Sequence, residues 1–153
     1  MDETDRKMIA MLEHDGRASF MEIARAVSLS PNAAADRVRR LERLGIITGF
    51  GVRIAPDALG LGFHALLDVK LNSEQSADDF ERDLAKTPAV IGYTLTTGRF
   101  DYTLRVACAD RAELVRLVEQ LRMRGGAAET YSRVILREHE FPITRRLQLA
   151  KQK

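Results

Sequence analysis

Four arginines and one asparagine lie close together near the amino terminus, and their side chains are suited to binding nucleic acid. They are Asn32, Arg37, Arg39, Arg40 and Arg43. A guanidinium group can bind a phosphate or the edge of a guanine, and a carboxamide can bind the edge of an adenine. An arginine-rich run without other signals is more often a solvated surface. The neighbouring residues must therefore decide between the two interpretations.

These side chains are predicted to lie on one helix, from Pro31 to Leu44, whose two ends are marked in the sequence. Ser30 suits the amino-terminal cap, Pro31 suits the first turn, and Gly45 suits the left-handed residue that stops a helix. At about 100° per residue, apolar and polar positions fall on opposite sides. The apolar side holds Ala34, Val38 and Leu41, and the polar side holds Asn32, Asp36, Arg39, Arg40 and Arg43.

A helix-turn-helix is predicted because a second helix precedes this one with only three residues between them. Ser19 and Glu22 form a capping box at its start, and Ser28-Leu29-Ser30 leaves room only for a tight turn. The apolar residues spaced for one face of this second helix are Phe20, Ile23, Ala24 and Val27.

A third helix is predicted at the start of the chain, with Asp2 as its cap and Asp15-Gly16 at its end. The β-prone residues 46–50 predict a short strand after the helices. Residues 1–50 are therefore predicted to form a three-helix, winged-helix-like helix-turn-helix domain. The residues expected to bring its first helix into the core are Met8, Ile9 and Leu12.

The rest of the chain predicts a second domain of another class. Residues 51–61 are rich in turn-forming residues and are predicted to be a linker, and residues 62–153 alternate between strand and helix periods. The predicted strands are 63–71, 90–97, 100–108 and 129–138, and the predicted helices are 76–86 and 111–124. The order βαββαβ predicts a ferredoxin-like sandwich, with two helices on one face of an antiparallel sheet. The complete chain is therefore of the α+β class.

Two details of this sandwich can be tested against the structure. The junction Gly98-Arg99 is predicted to be the turn of a β-hairpin. The apolar face expected for the helix 111–124 consists of Leu114, Val115, Val118 and Leu121.

Composition limits the function classes. With 153 residues, 45% of them hydrophobic and 30% charged, the chain is expected to be a folded cytoplasmic protein, because it has neither a secretion signal nor a run of about 20 apolar residues. The single Cys108 is expected to serve packing. The three widely spaced histidines predict neither a metal site nor a cofactor.

The chain resembles the Lrp/AsnC, or feast/famine, family of transcription factors over residues 1 to about 147. The segments that carry the resemblance are 2–5, 8–9, 29–31, 37–42, 45–47, 98–102 and 130–132. The resemblance implies a regulator that binds double-stranded DNA and is modulated by a small effector such as an amino acid. It also implies dimers that often assemble into octamers.

The predicted DNA-binding residues lie on and just before the helix that begins at Pro31. We expect phosphate contacts to outnumber base contacts, because Ala33, Ala34 and Ala35 offer few hydrogen bonds at the front of that helix. The shape and bending of DNA are then expected to contribute much of the specificity. The residues predicted to contact DNA are Ser30, Asn32, Ala33, Asp36, Arg37, Arg39, Arg40 and Arg43.

The effector is expected at the hairpin tip, because binding groups are often placed on loops held by a rigid sheet. The resemblance implies that Asp101 holds the ammonium group of an amino acid. Arg99, where many family members are acidic, either attracts a carboxylate or pairs with Asp101 across the turn. Thr130 and Ser132 either line the pocket or are ordinary strand residues. The residues predicted to bind the effector are Gly98, Arg99, Phe100, Asp101, Thr130 and Ser132.

Two alternatives stay open at this point. Some relatives with the same two-domain shape decarboxylate tetrapyrroles, and His64 would be the acid-base candidate in such an enzyme, although a single histidine is more often structural. The second alternative is a protein that organises DNA without any effector. No convincing set of catalytic residues is present in the sequence, so a regulator is the preferred interpretation.

Overall fold

The computed structural model describes residues 1–149 and confirms the α+β fold class. Contacts divide it into two compact units: residues 54–138 form the sheet unit, and residues 1–53 with 139–149 form the helical unit. The predicted domain limits of 1–50 and 62–153 stay a prediction, and residues 150–153 lie outside the described part of the chain. By contacts, residues 139–149 belong with the helices.

The helical unit contains α1 (Glu3–His14), α2 (Phe20–Val27) and α3 (Pro31–Arg43). The predicted cap of each helix is formed: the side chains of Asp2, Ser19 and Ser30 accept hydrogen bonds from the third residue of the helix that follows. The core that holds the three helices together consists of Met8, Ile23, Ala24, Ala34 and Val38.

Two predictions for this unit are wrong. Phe20, expected in the core, is 42% exposed, because it lies at the first position of α2, one turn before the buried Ile23 and Ala24. Residues 46–50 form no strand. The amides of Ile46 and Ile47 both donate to the carbonyl of Leu41, so they complete the end of α3 instead of pairing with a strand.

The sheet unit contains the predicted order βαββαβ. Its elements are β1 (Phe63–Leu71), α4 (Ala77–Leu84), β2 (Val90–Leu95), β3 (Tyr102–Cys108), α5 (Arg111–Met123) and β4 (Ala127–Val134). The four strands form one antiparallel sheet in the order β2-β3-β1-β4. A 3-10 helix (Pro56–Leu59) precedes β1, and the short helix α6 (Arg145–Leu149) lies in the helical unit.

The core of the sheet unit lies between the sheet and its two helices. Alternate residues of β1 and β3 are buried against α4 and α5. The largest contributors are Leu67, Val69, Phe80, Tyr102 and Leu104. Cys108 is fully buried in the same core, as its predicted packing role requires.

Three predicted details of the sheet unit differ from the structure. In α5 the buried face runs through Leu117, whereas Val115 is 49% exposed, because a spacing of three and four residues from Leu114 leads to 117 and 121. The hairpin between β2 and β3 has a connection of residues 96–101, longer than the predicted turn. Strand β4 spans Ala127–Val134 and not 129–138.

No helix within residues 1–149 is long and apolar enough to cross a membrane. In the same range, no group of three or more histidine, cysteine or acidic side chains is arranged to hold a metal ion.

Candidate nucleic-acid and effector sites

The start of α3 is fixed by a tight turn after α2. Ser28 adopts a left-handed conformation with φ of 56°, and the amide of Leu29 donates to the carbonyl of Ala24 at 2.9 Å. Ser30 is extended, and its hydroxyl accepts a hydrogen bond from the amide of Ala33 at 3.2 Å. The side chain of Ser30 is exposed, so the amino-terminal end of α3 faces solvent.

The front of α3 is less apolar than the sequence predicted. Ala34 is buried with Val38 and Leu41, as its place on the apolar side predicts, and Ala35, expected at the front of the helix, is buried too. Only Ala33 is partly accessible. The alanines therefore serve mainly to let α3 approach its neighbours closely, and a contact with a thymine methyl group is left to Ala33.

Four exposed residues of α3 lie along one line of the helix, where they place an amide, a carboxylate and two arginines. These residues are Asn32, Asp36, Arg39 and Arg43. Arg39 pairs with Asp36 at 3.1 Å, and both side chains are more than half exposed, so solvent weakens this pair and a phosphate can compete for the arginine.

Arg37 and Arg40 have different surroundings from the other two arginines. Arg37 contacts Asp2 at 2.6 Å and Asp5 at 2.9 Å, and Arg40 contacts Asp5 at 2.6 Å. The side chain of Asp5 is fully buried, and Asp5 and Asp2 cap α1 reciprocally. The sequence predicts DNA contacts for all four arginines, whereas the structure separates Arg39 and Arg43 from the pair that is bound to α1.

The surroundings of these carboxylates favour their ionised forms. The backbone hydrogen bond from Asp5, followed by the guanidinium of Arg37, lowers the pKa of Asp2. Burial alone would raise the pKa of Asp5, but the hydrogen bond from the amide of Asp2 and the contact with Arg37 outweigh it, and the pKa is lowered.

At the second predicted site, Asp101 is held at the edge of the β2-β3 connection. One of its carboxylate oxygens contacts Lys70 Nζ at 2.9 Å, and the other accepts a hydrogen bond from the amide of Leu71 at 2.8 Å. Lys70 first, and then the Leu71 amide, lower the pKa of Asp101. The ammonium group of Lys70 therefore occupies the place where an effector ammonium group was expected.

Arg99 does not pair with Asp101, as one prediction had it, but with Glu129 of β4 at 2.5 Å. Its guanidinium also lies 5.2 Å from the ring centre of Phe100, which stacks on Tyr131 at 6.5 Å. Gly98, with φ of 120°, has a backbone conformation that favours glycine, and it allows the connection to turn towards β4.

The sequence missed Lys70 and Glu129. They face each other across β1 and β4, a pairing that depends on the strand register. The alternation of β1 marked Lys70 as polar, but nothing in the sequence marked it as the partner of Asp101.

Thr130 and Ser132 are separated from the contacts of Arg99. In the register of β1 and β4 they lie opposite Val69 and Leu67, so they share the helix-facing side of the sheet, while Glu129 lies on the other side. Thr130 accepts a hydrogen bond from Arg122 of α5 at 2.9 Å.

A groove of about 530 Å³ adjoins Asp101. It is lined by Lys70, Leu71, Asn72, Ser73, Gln75, Ala77, Leu95, Asp101 and Tyr102. A cation, a carboxylate, polar amides and the apolar Leu95 are therefore present at one opening, which suits a small zwitterion with a side chain.

His64 has local contacts that suit a structural role. It is half-buried on β1, its Nε2 donates to the carbonyl of Leu61 at 2.7 Å, and it lies 3.5 Å from Asp57. These partners stabilise the segment that leads into β1.

A capped helix-turn-helix combined in one chain with a ferredoxin-like sandwich defines a class of DNA-binding regulators with a ligand-binding domain. Residues 1–42 match the family model of the AsnC-type helix-turn-helix domain. Residues 64–141, half of the chain, match the model of the Lrp/AsnC ligand-binding domain. The chain belongs to the Lrp/AsnC family of transcriptional regulators.

Known relatives agree with this assignment. The chain is 32% identical to the HTH-type transcriptional regulator AldR of Mycolicibacterium smegmatis, over 91% of this chain and 82% of AldR. It is 30% identical to the leucine-responsive regulatory protein of Escherichia coli, over 90% and 86% of the two chains. These relatives are regulators and not enzymes, so the tetrapyrrole decarboxylase alternative is set aside.

A solved structure gives the same result for the fold. A transcriptional regulator of Neisseria meningitidis, determined as a complex with L-Met, superposes with a TM-score of 0.86 at 27% identity, covering 94% of this chain and 95% of that one.

Proposed function

We propose that α3 is the recognition helix of this regulator and enters the major groove of DNA with its exposed face. The exposed arginines Arg39 and Arg43, on the same solvent-facing helix as Asn32, carry this proposal. Arg39 and Arg43 contact phosphates, and Asn32 and Ala33 approach base edges. The amide of Asn32, which is the first amide of α3 because Pro31 has none, donates to a further phosphate beside Ser30.

The salt dependence of binding tests this assignment. Each lost phosphate contact reduces the slope of log K against log salt by about 0.9. Arg39→Ala and Arg43→Ala are each expected to reduce it by that amount, measured by fluorescence anisotropy on a random-sequence duplex. Arg82→Ala, on α4 in the sheet unit, removes the same charge and is expected to leave the slope unchanged. Unchanged slopes for both α3 variants would contradict the assignment.

We further propose that the protein acts as a homodimer, the unit from which larger assemblies of this family are built. Large apolar side chains exposed in the single chain support it, among them Phe50, Val52, Ile54, Tyr131 and Leu136. A dimer presents two α3 helices to half-sites about 34 Å apart. Light scattering would give the mass in solution, and protection of DNA without helical phasing would contradict the paired arrangement.

We propose that the effector is an amino acid bound in the groove beside Asp101. Its ammonium group displaces Lys70 from Asp101, and its carboxylate pairs with the released Lys70 ammonium. The Lys70-Asp101 pair, which offers both charges a zwitterion needs, supports the proposal. The L-Met bound to the Neisseria meningitidis regulator shows that a relative of the same fold can bind an amino acid.

Thermal unfolding in the presence of single amino acids tests the effector. A ligand that binds only the folded protein raises the melting temperature by mass action. We expect at least one amino acid at millimolar concentration to do so for the wild type but not for Asp101→Asn. Asp79→Asn, which breaks an exposed ion pair on α4, is the control and is expected to respond like the wild type. No response of the wild type to any amino acid would overturn the proposal.

Selection of bound DNA from a random pool, with and without an amino-acid mixture, would test the DNA-binding proposal and the effector proposal together. A common motif is expected in the selected DNA, and its enrichment is expected to change when the mixture is present. An unchanged enrichment would instead favour a DNA-organising protein without an effector.

A further inference from the structure

Arg37 and Arg40 of α3 both reach the same buried carboxylate. Each oxygen of Asp5 is occupied: Oδ1 accepts from Arg37 at 2.9 Å, and Oδ2 accepts from Arg40 at 2.6 Å and from the amide of Asp2 at 3.0 Å. The second contact of Arg37 is to Asp2 Oδ2 at 2.6 Å. The four side chains form a network with no net charge, which we call the α1-α3 network.

Burial makes these contacts hard to exchange for others. The side chain of Asp5 is 0% exposed, whereas those of Arg37 and Arg40 are 32% and 46% exposed. A buried carboxylate without a cation is strongly unfavourable, so Asp5 keeps its arginines even when a phosphate is near. The exposed pair of Arg39 and Asp36 has no such constraint.

The two arginines also restrict the orientation of α3. Arg37 and Arg40 are three residues apart and therefore lie on neighbouring positions of one helix face. Both are bound to the first turn of α1. Rotation of α3 about its axis would break three charged contacts, so the network fixes which residues of α3 face outward.

We infer that Asp5 is a positioning residue for DNA recognition: it orients α3 against α1 and withholds Arg37 and Arg40 from the DNA backbone. This inference rests on the proposed role of α3 as the recognition helix. Holding back two of the four arginines limits the phosphate contacts that every sequence offers equally. Discrimination between sequences is thereby left to the exposed face of α3.

Replacing the arginines separately gives the first test. Arg37→Ala is expected to leave the salt slope on a random-sequence duplex unchanged, because no phosphate contact is lost. Arg39→Ala is the matched variant on the same helix, and its slope is expected to fall by about 0.9. An equal fall for Arg37→Ala would overturn the inference.

Asp5→Asn gives the second test, because it removes the buried charge that holds both arginines, and it leaves Arg37 with only its contact to Asp2. Each released arginine can add one phosphate contact, so the slope is expected to become steeper by up to about 1.8. The triple variant Asp5→Asn/Arg37→Ala/Arg40→Ala is expected to return to the wild-type slope. If Asp5 has a purely structural role, Asp5→Asn changes the stability of the protein, but the salt slope neither steepens in Asp5→Asn nor returns in the triple variant.

Glu42→Gln is the control for charge, since it removes one exposed carboxylate from α3 without touching the network. A slope for Asp5→Asn equal to that of Glu42→Gln would overturn the inference. If circular dichroism shows that Asp5→Asn is unfolded, the comparison of Arg37→Ala with Arg39→Ala decides alone. Failure of the wild type to bind any duplex would overturn the proposed function itself, a result distinct from all of these.

Discussion

Several carboxylates of the helical unit are held by hydrogen bonds that exist only in the folded state. Besides Asp2 and Asp5, these include Glu13, which accepts from the amides of Ile143 at 2.7 Å and Thr144 at 3.0 Å and from the Thr144 hydroxyl. Burial alone would raise the pKa of Glu13, but these hydrogen bonds outweigh it and lower the pKa below its ordinary value of 4.5. All three groups therefore prefer ionisation when the protein is folded.

This preference predicts a loss of stability in acid. The lowered pKa values mean that the unfolded chain takes up protons first, so the contribution is complete above about pH 5 and is lost as the pH falls through the folded-state values. Urea unfolding between about pH 7 and pH 3 is expected to show the loss. In Glu13→Gln the free energy of unfolding should fall less steeply with decreasing pH. The control variant Glu42→Gln, on α3, should follow the wild type. A Glu13→Gln profile identical to the wild-type profile would contradict this account.

At the site, residue types were easier to predict than their contacts. Asp101 and Arg99 lie on the connection that the sequence indicated, yet their partners Lys70 and Glu129 are about 30 residues away in the chain and are chosen by strand register. The difference between the partners of Arg37 and those of Arg39 likewise depends on the packing of α1 against α3. A charge pattern identifies a basic helix but cannot assign each arginine its partner.

Helices α1 to α5 follow from periodicity and capping because both signals are local. Ser19, Ser30 and Gly45 mark helix ends with their own backbone chemistry, and the structure agrees with each. The predictions that were wrong depend on contacts between residues far apart in the chain. Residues 46–50 have the side chains of a strand, but a strand needs a partner, and in the described chain their amides complete the end of α3 instead.

The corrected face of α5 leads to a prediction at the scale of this element. Leu117→Ala removes a side chain that is 4% exposed, and it is expected to reduce the free energy of unfolding by about 2–5 kcal/mol. Val115→Ala removes a half-exposed side chain of the same helix and is expected to change it by less than about 0.5 kcal/mol. Urea unfolding of both variants checks the assignment. A larger loss of unfolding free energy for Val115→Ala than for Leu117→Ala would support the buried face that the sequence predicted.

At the scale of the whole molecule, the carboxy-terminal segment belongs to the unit that begins the chain. Thr144 is 4% exposed and contacts Glu13 of α1, about 130 residues earlier in the sequence. No sequence pattern predicted this contact, because the segment 139–149 is short and has no periodicity that would indicate what it packs against. The helical unit is therefore built from both described ends of the chain.

Thr144→Val tests this contribution, since valine keeps the shape of threonine but loses the hydroxyl that donates to Glu13. A hydrogen bond to a charged group contributes about 1.5–3 kcal/mol, so a loss of this order is expected. Hydrogen exchange should show it in the amides of α1 to α3, while the amides of β1 and β3 keep their protection. Equal loss of protection in the sheet would contradict the division into two units.

The burial of Cys108 has a practical consequence for the study of this protein in solution. It is the single cysteine of the chain, and burial, together with Glu113 and Asp110, raises the pKa of its thiol. A thiol reagent is therefore expected to modify almost no cysteine in the native protein and one cysteine per chain in concentrated urea. Met123 is 83% exposed, so Met123→Cys would accept a fluorophore selectively while Cys108 stays unmodified. The natural sequence is thus already a low-reactivity background for attaching single spectroscopic probes.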